Sequence, residues 1–126
     1  MKQRTIPTEA QEQESLFRWI AYMMVRFPEL ELLFHIPNGG SRDPREAHNL
    51  RMQGVRAGVP DLMLPVARGK WHGLFIEMKR QDGGRMSAEQ KAWAAKLMEH
   101  GYLAVVCRGW IAAANVIKEY LGITEE

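Results

Sequence analysis

The chain has 126 residues, 46% of them hydrophobic and 25% charged, with a formal net charge of +2. That length supports one domain with a real core and little room for a second. No apolar run approaches the roughly 20 residues that cross a bilayer, which excludes a membrane span, and a polar Glu/Gln stretch follows the basic start Met-Lys-Gln-Arg, so no secretory signal is visible and a cytoplasmic location is expected.

The elements follow in chain order. Residues 1–7 read as a tail, residues 8–122 as the domain and residues 123–126 as a second tail. Thr8 with Gln11 forms an N-terminal capping box, and Leu16, Phe17, Ile20, Met23, Met24 and Phe27 keep helical spacing up to Pro28. "LLFHIP" (32–37) reads as a short strand and "NGGSRDP" as a loop. The Arg-bearing segment Arg45 to Ala57 is predicted helical, ending at Gly58, which suits a tight entry before Pro60. "PDLMLPV" and "GLFIEMK" read as two strands paired as an antiparallel hairpin through "ARGKWH". Ser87 with Gln90 is a second capping box, opening a helix that carries Trp93 and Leu97 and stops near Gly101. "YLAVVC" is a strand, and Ile111 to Leu121 a last helix. The sum is a mixed sheet flanked by helices, an α/β domain.

Cys107 lies in the apolar strand and reads as a buried thiol. The four histidines show no short ligand spacing, so a structural zinc site is not expected. Three charges interrupt apolar strand sequence: Asp61, Glu77 and Lys79. Buried charges are costly unless partnered. Glu77 and Lys79 face the same way about 7 Å apart along a strand. An antiparallel return brings Asp61 beside them. Two carboxylates at such range repel unless a cation lies between them, and hard oxygen donors suit Mg²⁺ or Mn²⁺. An ion held by Asp61, Glu77 and the carbonyl of Met78, with Lys79 orienting or deprotonating water, is chemistry for phosphodiester hydrolysis. A plain ion pair at the edge of the sheet is the alternative.

Pro60-Asp61 with Glu77-Met78-Lys79 resembles the PD-(D/E)xK nuclease superfamily. "HIPNGGSRD", "GVRAGVPDLML", "GLFIEMKR", "SAEQKAW" and "GYLAVVCRGW" together resemble its VRR-NUC (virus-type replication-repair nuclease) domain, in the stand-alone phage and bacterial form, over residues 9–121. The resemblance implies a restriction-endonuclease-like fold, Mg²⁺ or Mn²⁺ as cofactor, and endonuclease action on branched or structured DNA in a bacterial or phage-infected cell. By residue, Asp61 and Glu77 match metal ligands and Lys79 the catalytic lysine. Glu9 matches the acidic residue of the first helix, with Glu12 and Glu14 close by. Gln90 matches the glutamine after the ExK strand, which either contacts the site or only caps its helix. Asn38 matches a family position and is otherwise a loop asparagine. Arg42, Arg45, Arg51, Arg56 and Arg80 are then expected to contact DNA phosphates; otherwise they are a solvated face. A four-way-junction resolvase acting as a homodimer follows as an expectation. Trp19, Tyr22, Phe27 and Trp71 are candidates for the contact, or else complete the monomer core; Trp71 and His72 at the hairpin tip are alternatively a stacking surface for an unpaired base or plain turn residues. A non-catalytic DNA-binding module and a sequence-specific restriction-type nuclease are the alternatives.

Overall fold

The computed structural model describes residues 5–37 and 43–124. Helix α1 spans Glu9–Met23, and its start is the expected capping box: the Thr8 side chain accepts from the Gln11 amide and the Gln11 side chain accepts from the Thr8 amide. Leu16, Ile20 and Met23 form its buried stripe. The helix ends at Met23 rather than running to Phe27, because Pro28 starts a 3₁₀ turn, Pro28–Leu32, and the chain bends to reach it. Phe27 still packs on the core.

Strand β1 is Phe34–His35. Helix α2, Pro44–Met52, is capped by Asp43, whose side chain accepts from the Arg45 amide at 2.9 Å. It stops well before Gly58: Gly54 takes φ 105°, a left-handed conformation that ends the helix there. Strands β2 (Leu62–Leu64) and β3 (Leu74–Lys79) pair antiparallel as predicted. Helix α3 (Ala88–Glu99) is capped by Ser87 and Gln90 and carries the chain to β4 (Leu103–Arg108), parallel to β3, since parallel neighbours need a crossover. Helix α4 is Trp110–Leu121. The sheet order is β1-β2-β3-β4, a mixed sheet flanked by helices, as expected.

The two faces of this sheet differ. One carries Leu62, Leu64, Leu74, Ile76, Met78 and Cys107, which form the main core with Leu16 and Ile20 of α1 and with Ala113, Ala114 and Ile117 of α4. Each large side chain buried there contributes roughly 1.5–3 kcal/mol. The other face carries the alternate residues Phe75, Glu77 and Lys79, with Phe34 and Met63 beside Phe75 across the strands. Helix α3 lies over it and has no buried residue. Among the described residues no helix is long and apolar enough to cross a membrane.

Candidate active site

The hairpin register brings Asp61 to Glu77. Leu62 pairs with Ile76, so one step further Asp61 stands opposite Glu77 on the polar face. The Met78 amide donates to Asp61 Oδ2 at 2.7 Å, which fixes the carboxylate at the strand end while the Met78 side chain points into the core. From α1, Glu9 completes the group: one oxygen from each of Glu9, Asp61 and Glu77 lies within 4.8 Å of the others. Glu9 is exposed, Asp61 half-buried and Glu77 buried, so the cluster opens to solvent on the α1 side.

Glu77 shows what this proximity costs. Its carboxyl is pushed up from 4.5 to about 7, by burial first and by the Asp61 charge next, with Lys79 pulling the other way. Glu77 Oε2 lies 3.5 Å from Lys79 Nζ, while Glu77 Oε1 is buried without a hydrogen-bond partner. Three carboxylates against one ammonium leave two negative charges when all are ionised. An orphaned buried oxygen facing an excess of two negative charges fits a divalent cation bound by hard oxygen donors.

Gln90 unites its two sequence readings. Its Oε1 accepts from the Ser87 amide at 2.9 Å, completing the cap of α3, and from Lys79 Nζ at 3.2 Å. Its Nε2 donates to Glu77 Oε2 at 2.9 Å. One amide thus anchors the helix and holds both charged residues of β3 in place.

Glu12 is separated from Glu9 by its partners. Its carboxylate is buried, accepting from the Trp110 amide at 3.1 Å and from Gln81 Nε2 at 2.8 Å. Gly109, the cap of α4, has no side chain to offer, so Glu12 caps α4 from another helix. Sequence reading missed this role; the signal was a helix start preceded by Gly instead of Ser, Thr, Asp or Asn. It also missed Arg108, whose guanidinium donates to the carbonyls of Gly83 and Gly84 and so fastens the loop after β3.

Arg45, Arg51 and Arg56 are exposed on α2 and the segment that leads to β2. Arg80 is half-buried, donating to the Ile6 carbonyl at 3.4 Å, with its Nε buried and unpartnered. Asn38 and Arg42 lie outside the described residues. Gly58 takes φ 93° and presses on α3: a Cβ there would come 2.5 Å from the Glu89 carbonyl carbon. Of the aromatics considered for a dimer contact, Trp19 and Phe27 pack on the core and Trp71 is half-buried under Lys70, while Tyr22 is 74% exposed. Cys107 is buried, and burial pushes its thiol up to about 11.

The sequence model of the VRR-NUC domain matches residues 3–110. A solved structure described as a VRR_NUC domain protein superposes with a TM-score of 0.81 at 30% identity, covering 96% of this chain and 93% of that one. No curated protein matches the sequence. With its mixed sheet, flanking helices and acidic cluster, the chain belongs to the VRR-NUC domain family and has its nuclease-type fold.

Proposed function

We propose that this chain is a Mg²⁺- or Mn²⁺-dependent DNA endonuclease that hydrolyses phosphodiester bonds in branched DNA, and that it acts as a homodimer on four-way junctions. The observation that carries the hydrolytic reading is the convergence of Glu9, Asp61 and Glu77, one oxygen of each within 4.8 Å of the others, where Glu77 Oε1 is buried with no partner. These carboxylates, with the Met78 carbonyl, hold the ion, which when bound supplies positive charge against a phosphate oxygen and makes water more acidic. Lys79 orients the attacking water and balances the charge that grows on phosphorus. Gln90 keeps Lys79 and Glu77 in register for that work. Arg45, Arg51 and Arg56, with Arg80, Asn38 and Arg42, hold the phosphate backbone without reading bases. Branched substrate and two-fold pairing follow from the family resemblance. An exposed Tyr22 beside Val25 at 85% exposure offers a patch for the second copy.

The test is cleavage of linear, flap and four-way-junction DNA with Mg²⁺, Mn²⁺ or EDTA. Cleavage is expected only with metal, and Asp61→Asn should reduce it by roughly a hundredfold or more while DNA binding holds or tightens as phosphate repulsion is lost. Activity in EDTA, or an unaffected Asp61→Asn, removes the metal reading. A monomer that cuts flaps as readily as junctions removes the resolvase reading and leaves the nuclease.

A further inference from the structure

A second concavity lies on the flank of α3, outside the carboxylate cluster. Its volume is about 550 Å³, and its walls include Trp93, Leu97, His100, Tyr102 and Ala57, with Lys96 and Glu89 as its charged members. Glu89, Trp93, Lys96 and His100 recur at intervals of four, three and four, so they form one stripe along the helix. Gln90, one residue and about 100° round from Glu89, turns instead to Glu77 and Lys79. Trp93 follows Gln90 by three residues, about 4.5 Å of helix rise. The helix that lines the pocket thus also touches the cluster, through Gln90.

They also share a second segment. Ala57 lines the pocket, and Asp61 of the same short stretch enters the cluster. Gly58 between them locks that stretch onto the first turn of α3, because its missing Cβ permits the contact with the Glu89 backbone. The Tyr102 wall is held as well: its ring meets Phe75 edge-on at 5.7 Å and His72 at 5.7 Å. Phe75 stands two residues before Glu77 on the same side of β3, so the Tyr102 wall rests on the sheet face that bears Glu77.

The lining decides the occupant. Two aromatic side chains and aliphatic walls offer stacking for a flat ring, and the volume lies within the roughly 300–1,000 Å³ typical of sites for small organic groups. Lys96 in the lining and Arg56, exposed next to Ala57, supply cations where a phosphate backbone would pass. Flat apolar surface and flanking cations, on the helix whose Gln90 touches Glu77, match a nucleotide better than a protein side chain. A base stacked inside a duplex has no free face to offer such a pocket; an unpaired base does.

We propose that this pocket receives an unpaired nucleobase of the strand being cut, against Trp93 and Tyr102, so that the protein selects DNA whose bases are unstacked beside the scissile phosphate. This rests on the nuclease reading and adds the element that recognises substrate.

The experiment uses branched oligonucleotides in which each single-stranded position flanking the cut is replaced in turn by a tetrahydrofuran abasic analogue. Binding is measured in EDTA by fluorescence anisotropy, and single-turnover cleavage with Mn²⁺. At one position the wild-type protein should bind the abasic oligonucleotide about 10- to 100-fold more weakly. Trp93→Ala should bind the intact oligonucleotide more weakly by a similar factor and ignore the abasic change, whereas Trp93→Phe should keep the preference. A wild-type protein indifferent to every abasic position overturns the proposal, and needs no variant to show it. Discrimination that survives in Trp93→Ala also overturns it. So does a Trp93→Ala that turns a dimer into a monomer in light scattering with discrimination intact, which would make the pocket an interface between copies. Cleavage without base discrimination sinks the pocket alone; discrimination in binding with no cleavage under any metal sinks the nuclease reading alone.

Discussion

Strand β3 presents two regions to opposite sides, and they obey opposite rules. Toward α1 and α4, Leu74, Ile76 and Met78 are buried among apolar neighbours that ask nothing of them but volume. Toward α3, Phe75, Glu77 and Lys79 are also buried, though less completely, yet two of the three are charged and Glu77 keeps an oxygen without a partner. The first face supplies stability. The second gives some of it up, holding like charges together at a site that a cation and a phosphate would relieve. Alternation along six residues lets one strand serve both ends without compromise.

Substitutions at adjacent positions of β3 should therefore break different properties. Ile76→Ala empties a fully buried site in the core, and a loss of about 2–5 kcal/mol is expected in urea unfolding. Such a loss should appear with or without divalent metal. Lys79→Ala, three residues along and on the other face, strips buried Glu77 of its cationic partner, so it should destabilise the metal-free fold at a pH where Glu77 is ionised and less so with divalent metal. It should also lower single-turnover cleavage by roughly 10²–10³-fold, equivalent to about 3–4 kcal/mol of transition-state stabilisation. If Lys79→Ala instead weakens DNA binding and spares the rate, the lysine is a phosphate contact only.

Much of this division was legible in the sequence, for local reasons. Both capping boxes, Thr8 with Gln11 and Ser87 with Gln90, are four-residue patterns whose partners are chain neighbours. The hairpin follows from turn chemistry between two alternating runs. What escaped was set by distant contacts. Glu9 and Glu12 stand three apart on one helix, and spacing alone cannot tell which one faces Glu77; the uncapped start of α4, almost a hundred residues on, takes Glu12. Two departures were local instead: α1 ends early because Pro28 opens a 3₁₀ turn, and α2 because Gly54, inside the segment expected to be helical, takes a left-handed conformation. Trp19 packs on the core from beside the buried stripe of α1 and Phe27 from beyond the end of the helix, while Tyr22 is exposed, and helical periodicity does not reach past Met23.

The polar face should also show itself in the pH dependence of metal-free protein. Glu77 takes up its proton at about 7 in the fold and at 4.5 as an unperturbed carboxyl, so between these values the folded chain holds a proton that the unfolded chain has released. Stability then falls as pH rises through that window, by on the order of 3 kcal/mol, and is level above it. Glu77→Gln should flatten this slope and raise the melting temperature at pH 8. Saturating Mn²⁺ should flatten it in the wild type, by replacing the proton with a cation. A slope that persists in Glu77→Gln would place the titrating group elsewhere.

The finest separation is within Gln90, where cap and site meet in one side chain. Ser87→Ala removes the hydroxyl that accepts from the Gln90 amide and should cost about 1 kcal/mol in unfolding, as lost N-caps do. It leaves the Gln90 amide against Glu77 Oε2 and Lys79 Nζ, so cleavage should change by less than about twofold. Gln90→Ala removes both sets of bonds. Its cost in unfolding should be larger, about 1.5–3 kcal/mol, because buried Glu77 and Lys79 each lose a hydrogen bond even though the Ser87 hydroxyl still caps the helix. Cleavage should also fall about tenfold, since Lys79 is left with Glu77 alone to hold its ammonium on that side. Equal cleavage in the two variants would reduce Gln90 to a cap. A rate loss in Gln90→Ala that returns with Gln90→Asn would fail to support contact at the observed distances, because the shorter side chain cannot reach both Ser87 and Glu77.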